Sequence, residues 1–420
     1  MPKNRILKSF FFKNVLKISS GTLLAQILML IGMPIITRLY SKDVIGVYAL
    51  FTSTIGIVTT FVTLAYDNAI VLPKKKEDAS AILKIVIYIS LVLSFLIGVV
   101  LLIPLDFFSE YKSIAFFIST ASFFQVLVTS MGYFKVRNNL FNELSFSKVV
   151  RNTVLLIFQI GLYYITNIYG LLIGFIIASV CTIIYLIYRD EHLKKAILSR
   201  QNIQTIMDNA NTYKEYPMYF CWSNLILALS AGIPVILFNE YFSLSKVAIY
   251  SIAFSLIVQP AGLISASIRP VLLSRFANEK NNLRSIKKLY DKIFSFLILG
   301  SIIISIIIFF CYPIVITFVF GKNWEESGFL TRYLIPVFMW YFISIPSSIT
   351  LKVYPFQKYA FIYTICSFII TIGFILLGIN FGINFYYVVL VFSSSSLIVS
   401  LINHFVVRKK IINYEKISLS

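Results

Sequence analysis

A chain of 420 residues with 59% hydrophobic and 13% charged residues is too apolar for an ordinary soluble protein, in which about a quarter of the residues are charged. Its 37 lysines and arginines outweigh 17 aspartates and glutamates and give a formal net charge of +20. A positive balance can indicate nucleic-acid binding. Here the basic residues lie mainly between apolar runs, so no nucleic-acid partner is predicted.

The apolar residues form runs of about 20 or more, long enough to cross the hydrocarbon core of a bilayer as helices. We therefore predict an all-α integral membrane protein with twelve transmembrane helices. In chain order, the predicted helices cover residues 18–37, 44–69, 79–103, 113–133, 144–165, 167–188, 216–238, 245–268, 290–318, 329–350, 359–379 and 384–407.

Basic residues are concentrated in alternate connections between these helices. Of the 37 lysines and arginines, 31 lie at the termini and in five connections, or at the helix ends beside them, on one side, and only six lie on the other. By the positive-inside rule, both termini and all the basic connections are cytoplasmic. The longest polar connection, 189–215, is expected to be a cytoplasmic linker, partly helical along the membrane surface. It would join an N-terminal six-helix lobe at 1–200 to a C-terminal lobe at 201–420.

A short pattern recurs in the two halves of the chain. Gly32-Met33-Pro34 returns as Gly232-Ile233-Pro234 at an offset of 200, and the Ser41 to Tyr48 frame returns as Ser243 to Tyr250 at 202. The pattern favours two pseudo-symmetric six-helix lobes around a central cleft. Because Gly and Pro allow a helix to bend, hinges are predicted at Gly32, Pro34, Gly232 and Pro234. Coincidence is the alternative, since Gly-x-Pro is common in membrane helices.

Asp67 is the only acid in the second predicted span, 44–69, which is otherwise apolar. A carboxylate in a membrane costs about 2.5–3.5 kcal/mol at a helix centre. At the 202 offset Asp67 aligns with Arg269, and we predict a gate contact between them that closes the cleft towards the cytoplasm. The alternative is a pair between Asp67 and Lys84 or Arg151 within one lobe. The gate requires the double swap Asp67→Arg with Arg269→Asp to restore the transport that either single change removes.

Four stretches carry motifs in a fixed order, at residues 35–49, 67–74, 213–260 and 320–324. Together with the twelve-helix plan, they make the chain resemble the bacterial O-antigen and polysaccharide flippases, which are related to multidrug-and-toxin-extrusion transporters. The resemblance covers nearly the whole chain. One departure is Ala248, where the family often has glycine, as at the matching Gly46.

The resemblance implies a flippase that moves an undecaprenyl-diphosphate-linked oligosaccharide across the bacterial inner membrane for O-antigen, lipopolysaccharide or other surface polysaccharide synthesis. Two six-helix lobes would expose a V-shaped central cavity to each side in turn. Membrane lipids, a polysaccharide polymerase and a chain-length regulator are the implied partners. No catalytic residue, metal or cofactor is implied.

An ionised diphosphate and a glycan need a polar path, because unpaired charges and polar groups in hydrocarbon are very costly. Arginine pairs well with phosphate oxygens, which makes Arg38, Arg151 and Arg269 candidates for the cavity; lipid-headgroup contacts or inter-helix hydrogen bonds are the alternative roles. Gln26, Asn224 and Gln259 are candidates for binding sugar hydroxyls, although helix–helix hydrogen bonding would explain them equally well.

Other functions share parts of this pattern. A drug/cation antiporter of the multidrug-and-toxin-extrusion type and a flippase for the peptidoglycan precursor would have the same architecture. A membrane polysaccharide polymerase or glycosyltransferase is a remote alternative. Every predicted external connection is short, and no metal motif, phosphate-binding glycine loop or nucleophile elbow is present, so the protein is not predicted to be an enzyme.

Overall fold

The structure is a computed structural model that describes the backbone of residues 2–103, 111–166, 169–199, 201–278, 283–354 and 356–419. Side chains are described for residues 21–103, 111–166, 169–199, 201–276, 286–354 and 356–412. The described backbone contains helices, turns and short connections but no β-strand. The all-α class predicted from the apolar runs is confirmed.

The helices follow one another with short breaks. In chain order they are α1 Pro2–Leu39, α2 Lys42–Val62, α3 Tyr66–Ala69, α4 Lys76–Leu101, α5 Ala115–Arg137, α6 Phe141–Thr166, α7 Gly170–Tyr188, α8 Glu191–Leu198, α9 Ile203–Thr212, α10 Cys221–Tyr241, α11 Leu244–Asn278, α12 Leu283–Phe320, α13 Glu325–Tyr333, α14 Ile335–Val353, α15 Gln357–Asn380 and α16 Phe385–Leu419. A π-helical turn at Tyr216–Phe220 precedes α10, and a 3₁₀ turn at Lys322–Trp324 precedes α13.

Within the described residues, eleven helical segments are long and apolar enough to cross a membrane. A further pair, Lys322–Tyr333 and Ile335–Val353, is bent by 45° at its break and makes twelve if it counts as one span. The chain is therefore a multi-pass membrane protein, and the twelve-helix plan is confirmed. The predicted linker also contains helices, because α8 and α9 both lie between the sixth and seventh spans.

The chain forms two compact units, Met1–Gly232 and Ile233–Ser420. In the first unit α6 packs against α1 and α7, α4 packs against α5, and α8 and α9 lie on α4. In the second unit α14 packs against α11, α12 and α16, and α15 packs against α16.

Small residues bring α1 and α6 of the first unit into close contact. A Cβ atom on Gly21 would lie 2.7 Å from the backbone oxygen of Ser145, and one on Gly32 would lie 2.3 Å from a methyl group of Leu156. Between these points the Asn152 amide donates a hydrogen bond of 2.7 Å to the carbonyl of Ala25. Close backbone approach at small residues and inter-helix hydrogen bonds are the usual ways of joining helices in lipid.

Replacing Gly21 with alanine should therefore lower the thermal stability of the purified protein. Glycine in a helix interior normally costs about 0.5–1 kcal/mol relative to alanine, but the added methyl group here would meet the backbone of Ser145, which cannot turn aside as a side chain can. Gly161→Ala is the matched control on α6, where nothing lies within 4 Å of the new Cβ, and it should leave stability unchanged or raise it. Equal effects of the two substitutions would contradict this description of the contact.

The repeated Ser…Tyr frame has the same local structure in both halves. The Ser41 hydroxyl accepts a hydrogen bond from the Val44 N–H at 3.4 Å, and the Ser243 hydroxyl accepts one from the Lys246 N–H at 3.3 Å. Each serine thus satisfies a backbone donor that the first helical turn leaves without a partner. These matching caps lie at the N-termini of α2 and α11 and support the internal repeat.

The two halves differ in the length of the helix that follows this cap. In the first half, this helix was predicted to continue to residue 69. That prediction was wrong, because α2 ends at Val62 and α11 continues to Asn278. Leu64 and Ala65 have φ values of 47° and 59°, in the left-handed region, which ends a right-handed helix. The Ala65 N–H donates to the Thr63 hydroxyl at 3.2 Å instead of to a helical carbonyl. The chain then re-forms a single helical turn, α3, which carries Asp67.

A buried ion cluster fastens the linker to the first unit. Lys135 at the end of α5 is fully buried, and its ammonium group lies 2.5 Å from a carboxylate oxygen of Glu143 and 3.1 Å from one of Asp190. Asp190 also accepts hydrogen bonds from the backbone N–H groups of His192 and Leu193 and so caps α8. One side chain therefore ties α5, α6 and the start of the linker together.

The second linker helix is attached close to Asp67. The Tyr66 hydroxyl donates a hydrogen bond of 3.0 Å to the carbonyl of Ala210 in α9. The Asn209 amide donates one of 3.2 Å to the Asp78 carboxylate at the start of α4. Lys84 donates to the carbonyl of Ser199 between the two linker helices. The linker is therefore part of the first compact unit.

Candidate functional site

A cavity of about 850 Å³, most of whose lining residues are polar, lies within the first unit. Ligand sites commonly have volumes of about 300–1,000 Å³, so this cavity is large enough to hold a ligand. All its walls come from the ends of helices nearest the basic connections. They are the end of α2 with α3, the second half of α5, the start of α6, one residue of α7, and the start of α10.

Two cations on α6 face the cavity. Lys148 and Arg151 are three residues apart and therefore share one side of the helix. The Lys148 ammonium donates a hydrogen bond of 2.9 Å to the Thr22 hydroxyl of α1. The Arg151 guanidinium donates one of 2.5 Å to the Gln125 side-chain oxygen and lies 5.2 Å from the centre of the Phe175 ring.

Both cations keep donors for a ligand. An ammonium group has three N–H donors and a guanidinium group has five, and the contacts with Thr22 and Gln125 occupy one of each. Within the part of the chain whose side chains are described, neither cation has an acidic oxygen within 4.0 Å. The pair is therefore held in place by neutral groups, and its positive charge is not cancelled by a salt bridge.

Asp67 is on the wall formed by α3, outside the spans. Burial raises the pKa of its carboxyl group, while the Thr63 hydroxyl and the backbone N–H groups of Asn68 and Asp67 oppose that rise. Its neighbour Asn68 accepts a hydrogen bond of 3.1 Å from the Tyr133 hydroxyl, and the Asn68 amide faces the Asp67 carboxylate at 3.4 Å. Tyr133 and Asn68 thereby hold the carboxylate against the cavity wall.

Neutral polar groups complete the lining. The hydroxyls of Thr59, Thr60 and Thr182 donate to backbone carbonyls four residues earlier, at 2.7, 2.9 and 2.6 Å. Their oxygen lone pairs remain available as acceptors. The Asn224 side chain lines the cavity from α10. The cavity therefore offers both hydrogen-bond donors and acceptors to a ligand.

The structure brings together three of the residues predicted for the site. Asp67, Arg151 and Asn224 all line the cavity. The alternative pairing of Asp67 inside the first lobe is not observed. Lys84 bonds to the carbonyl of Ser199 and Arg151 bonds to Gln125.

The other predicted residues of the first unit lie elsewhere. Gln26, on α1, does not line the cavity, and its buried side-chain oxygen has no hydrogen-bond partner among the described residues. Arg38 is exposed in the last turn of α1, where a cation interacts favourably with the helix dipole.

Arg269 and Gln259 belong to the second unit, on α11. The Arg269 guanidinium donates a hydrogen bond of 3.0 Å to the Ser348 hydroxyl of α14. The buried Gln259 oxygen has no partner in the described part of the chain. Since Asp67 and Arg269 lie in separate compact units, the gate between them stays a prediction.

The predicted hinge residues lie inside continuous helices, Gly32 and Pro34 in α1 and Gly232 and Pro234 in α10. Both glycines pack closely. A Cβ on Gly232 would lie 2.8 Å from a methyl group of Ile57, much as one on Gly32 would meet Leu156. Their role as hinges stays a prediction.

Lys148, Asn68 and Tyr133 were not among the predicted site residues. Lys148 lies near the start of α6, where a basic side chain commonly reaches the membrane surface. Its spacing of three residues from Arg151 is the signal that could have identified it, since this spacing places both cations on one helix face. Asn68 and Tyr133 carried no comparable signal, because their contact joins residues far apart in sequence.

Solved structures of several membrane proteins share this helical fold. An inward-facing multidrug resistance transporter of the MATE family superposes with a TM-score of 0.66 at 14% identity, covering 95% of each chain. The lipid II flippase MurJ in an inward closed conformation gives 0.69 at 17% identity, covering 93% of this chain and 87% of MurJ. The Vibrio cholerae MATE transporter VcmN in the bent form gives a TM-score of 0.55 at 13% identity, and the match covers 99% of each chain.

The sequence profile of the polysaccharide biosynthesis protein family matches residues 35–328. The chain belongs to this family. No curated protein sequence matches it significantly. The resemblance to polysaccharide flippases and their MATE-like relatives is confirmed by the family match and the shared fold.

Proposed function

We propose that this protein is a flippase that carries an undecaprenyl-diphosphate-linked oligosaccharide across the bacterial inner membrane. The observation that carries the proposal is the pair Lys148 and Arg151 in a polar cavity of a membrane-spanning unit. Charge-assisted hydrogen bonds from ammonium and guanidinium groups are well suited to phosphate oxygens. Membership of a polysaccharide biosynthesis family supports a glycan as the cargo.

The size of the cavity suggests how such a lipid would be divided between protein and bilayer. About 850 Å³ accommodates a diphosphate and the sugars next to it, whereas the prenyl chain can remain in the hydrocarbon at no desolvation cost. The cavity replaces water around the charged part of the lipid with fixed donors. This lowers the barrier that an unpaired diphosphate would meet in lipid.

The orientation follows from the charge distribution. The positive-inside rule predicts that both termini and the basic connections are cytoplasmic, so the cavity would lie in the cytoplasmic half of the first compact unit. This is the side on which lipid-linked glycans would be loaded. In the proposed cycle, lobes at 1–200 and 201–420 expose the site alternately to the two leaflets. No chemical step is required, so the protein would act as a transporter and not as an enzyme.

Deletion of the gene tests the proposal in the native bacterium. We expect loss of a surface polysaccharide and accumulation of its lipid-linked repeat units inside the cell, both reversed by the wild-type gene. The O-antigen of lipopolysaccharide is the first polysaccharide to examine. Unchanged amounts of every surface polysaccharide would contradict the proposal.

Export of a small cation is the second candidate, and Asp67 is the observation that favours it, because a carboxylate in the cavity could bind a positively charged drug. The same deletion strain separates the two functions. An exporter predicts lower tolerance to cationic dyes and drugs with normal surface polysaccharide. A peptidoglycan-precursor flippase predicts accumulation of that precursor and failure of the cell wall.

A further inference from the structure

The cavity carries opposite charges on different walls. Lys148 and Arg151 come from α6, and Asp67 comes from α3. Among the residues whose side chains are described, no lysine or arginine nitrogen lies within 4.0 Å of the Asp67 carboxylate. The acid and the two cations therefore present separate surfaces to whatever enters the cavity.

Asp67 is held by its neighbours on both sides. Tyr66 is buried and its hydroxyl is bonded to Ala210 of the linker, while Asn68 is bonded to Tyr133 of α5. The left-handed backbone at Leu64 and Ala65 turns this segment out of α2. A side chain fixed in this way is suited to recognition, because little freedom remains to be lost when a ligand binds.

The Thr63 hydroxyl and the backbone N–H groups of Asn68 and Asp67 already bond to this carboxylate, and at the cavity wall it can accept further hydrogen bonds from a ligand. It repels a diphosphate, so it does not serve the part of the substrate that the two cations attract. An ionised carboxylate only accepts hydrogen bonds, and it has about four acceptor positions. Sugar hydroxyls and the N–H of an acetamido group are the donors that lie next to a diphosphate in a lipid-linked glycan.

We propose that Asp67 is a specificity-determining residue that accepts hydrogen bonds from the sugar attached to the diphosphate, while Lys148 and Arg151 bind the phosphates. This inference rests on the proposed flippase function. The site would then distinguish a glycan-bearing lipid from the bare lipid diphosphate. A transporter with that property would leave the sugar-free carrier lipid in place.

Binding to the full-length protein in lipid nanodiscs tests the inference. The probes are undecaprenyl diphosphate and the same lipid carrying one N-acetylglucosamine or one galactose. Since a hydrogen bond to a charged group is stronger than one between neutral groups, the wild-type protein should bind at least one sugar-bearing lipid about 10-fold more tightly than the bare lipid. Asp67→Asn should abolish this preference without weakening the binding of the bare lipid.

Lys148→Gln is the matched control in the same cavity. It should weaken the binding of the bare lipid and of the sugar-bearing lipids by the same factor, because both kinds carry the diphosphate. Tyr133→Phe removes the donor to Asn68 and should reduce the preference for the sugar while leaving the carboxylate in place. This variant keeps the test independent of any folding defect caused by Asp67→Asn.

Different failures have different meanings. If the wild-type protein binds neither kind of lipid, the proposed function is wrong. If the wild-type protein binds both kinds of lipid equally, the role of Asp67 in sugar recognition is wrong and the flippase function stands. The same holds if Asp67→Asn weakens the binding of both kinds by the same factor. Restored transport in the double swap Asp67→Arg with Arg269→Asp would also overturn this role, because arginine cannot accept a hydrogen bond.

Discussion

Transport should fall about 10- to 150-fold when Arg151 is replaced by glutamine, because a hydrogen bond to a charged group contributes about 1.5–3 kcal/mol. The substitution removes the positive charge that faces the cavity. It also removes the guanidinium N–H that donates a hydrogen bond to the Gln125 side-chain oxygen. Arg151→Lys should retain more activity than Arg151→Gln, since it keeps the charge but loses the planar fork that matches phosphate. Transport is measured as surface polysaccharide restored to the deletion strain, with equal protein in the membrane.

The neighbouring cation provides a second arm of this experiment. Lys148→Gln should also lower transport, and the double variant should lose less than the product of the two single effects, because both residues bind one ligand and adjacent sites are coupled. Lys195→Gln removes a charge from the exposed surface of α8 and is the control. Wild-type transport by Arg151→Gln at normal expression would show that the cavity cations do not bind the substrate.

A large loss of stability is expected when Lys135 is replaced by alanine. Removing one member of a buried ion pair costs about 3–5 kcal/mol, because the remaining charge stays buried without compensation. Here two carboxylates would remain, Glu143 and Asp190, and Asp190 would also be disturbed as the cap of α8. For a unit of this size the change corresponds to a fall of about 6–20 °C in the thermal midpoint, measured on the purified protein.

The pair of Arg408 and Asp291 in the second unit is the matched control. Its geometry is as good, with hydrogen bonds of 2.8 and 2.9 Å, but the two side chains are 40% and 36% exposed. Exposed pairs contribute about 0–1 kcal/mol, so Arg408→Ala should change the midpoint little. A combined Glu143→Gln and Asp190→Asn change should restore part of the stability lost in Lys135→Ala. Equal losses from Lys135→Ala and Arg408→Ala would contradict the importance of burial.

The helices could be predicted from the sequence because each apolar run is long enough to span a bilayer and is flanked by polar residues. The end of α2 could not. Leu64 and Ala65 adopt left-handed backbone conformations that neither residue type favours, and no glycine, proline or asparagine marks the position. The break depends on contacts formed after folding, such as those that hold Tyr66 to the linker and Asn68 to α5.

The candidate site was predictable in part for a similar reason. Arg151 and Asn224 stand out as polar residues within apolar runs, and both line the cavity. Lys148 lies closer to a helix end, where a basic side chain normally reaches the membrane surface. Its bond to Thr22 instead directs it into the unit. Whether a lysine near a helix end faces lipid or a cavity depends on which helix packs beside it, and local spacing does not determine that.

The close contact between α1 and α6 has a consequence for how the chain is made. About 100 residues separate the end of α1 from the start of α6, which corresponds to roughly 5–20 s of synthesis at ordinary rates. During that time the face of α1 that later packs against α6 is not yet covered by it. This face includes Gly21, Thr22 and Gly32. Assembly of the first unit therefore cannot be completed as each helix emerges from the ribosome. Although α1 is made before α6, it can pack against α6 only after α6 has been inserted.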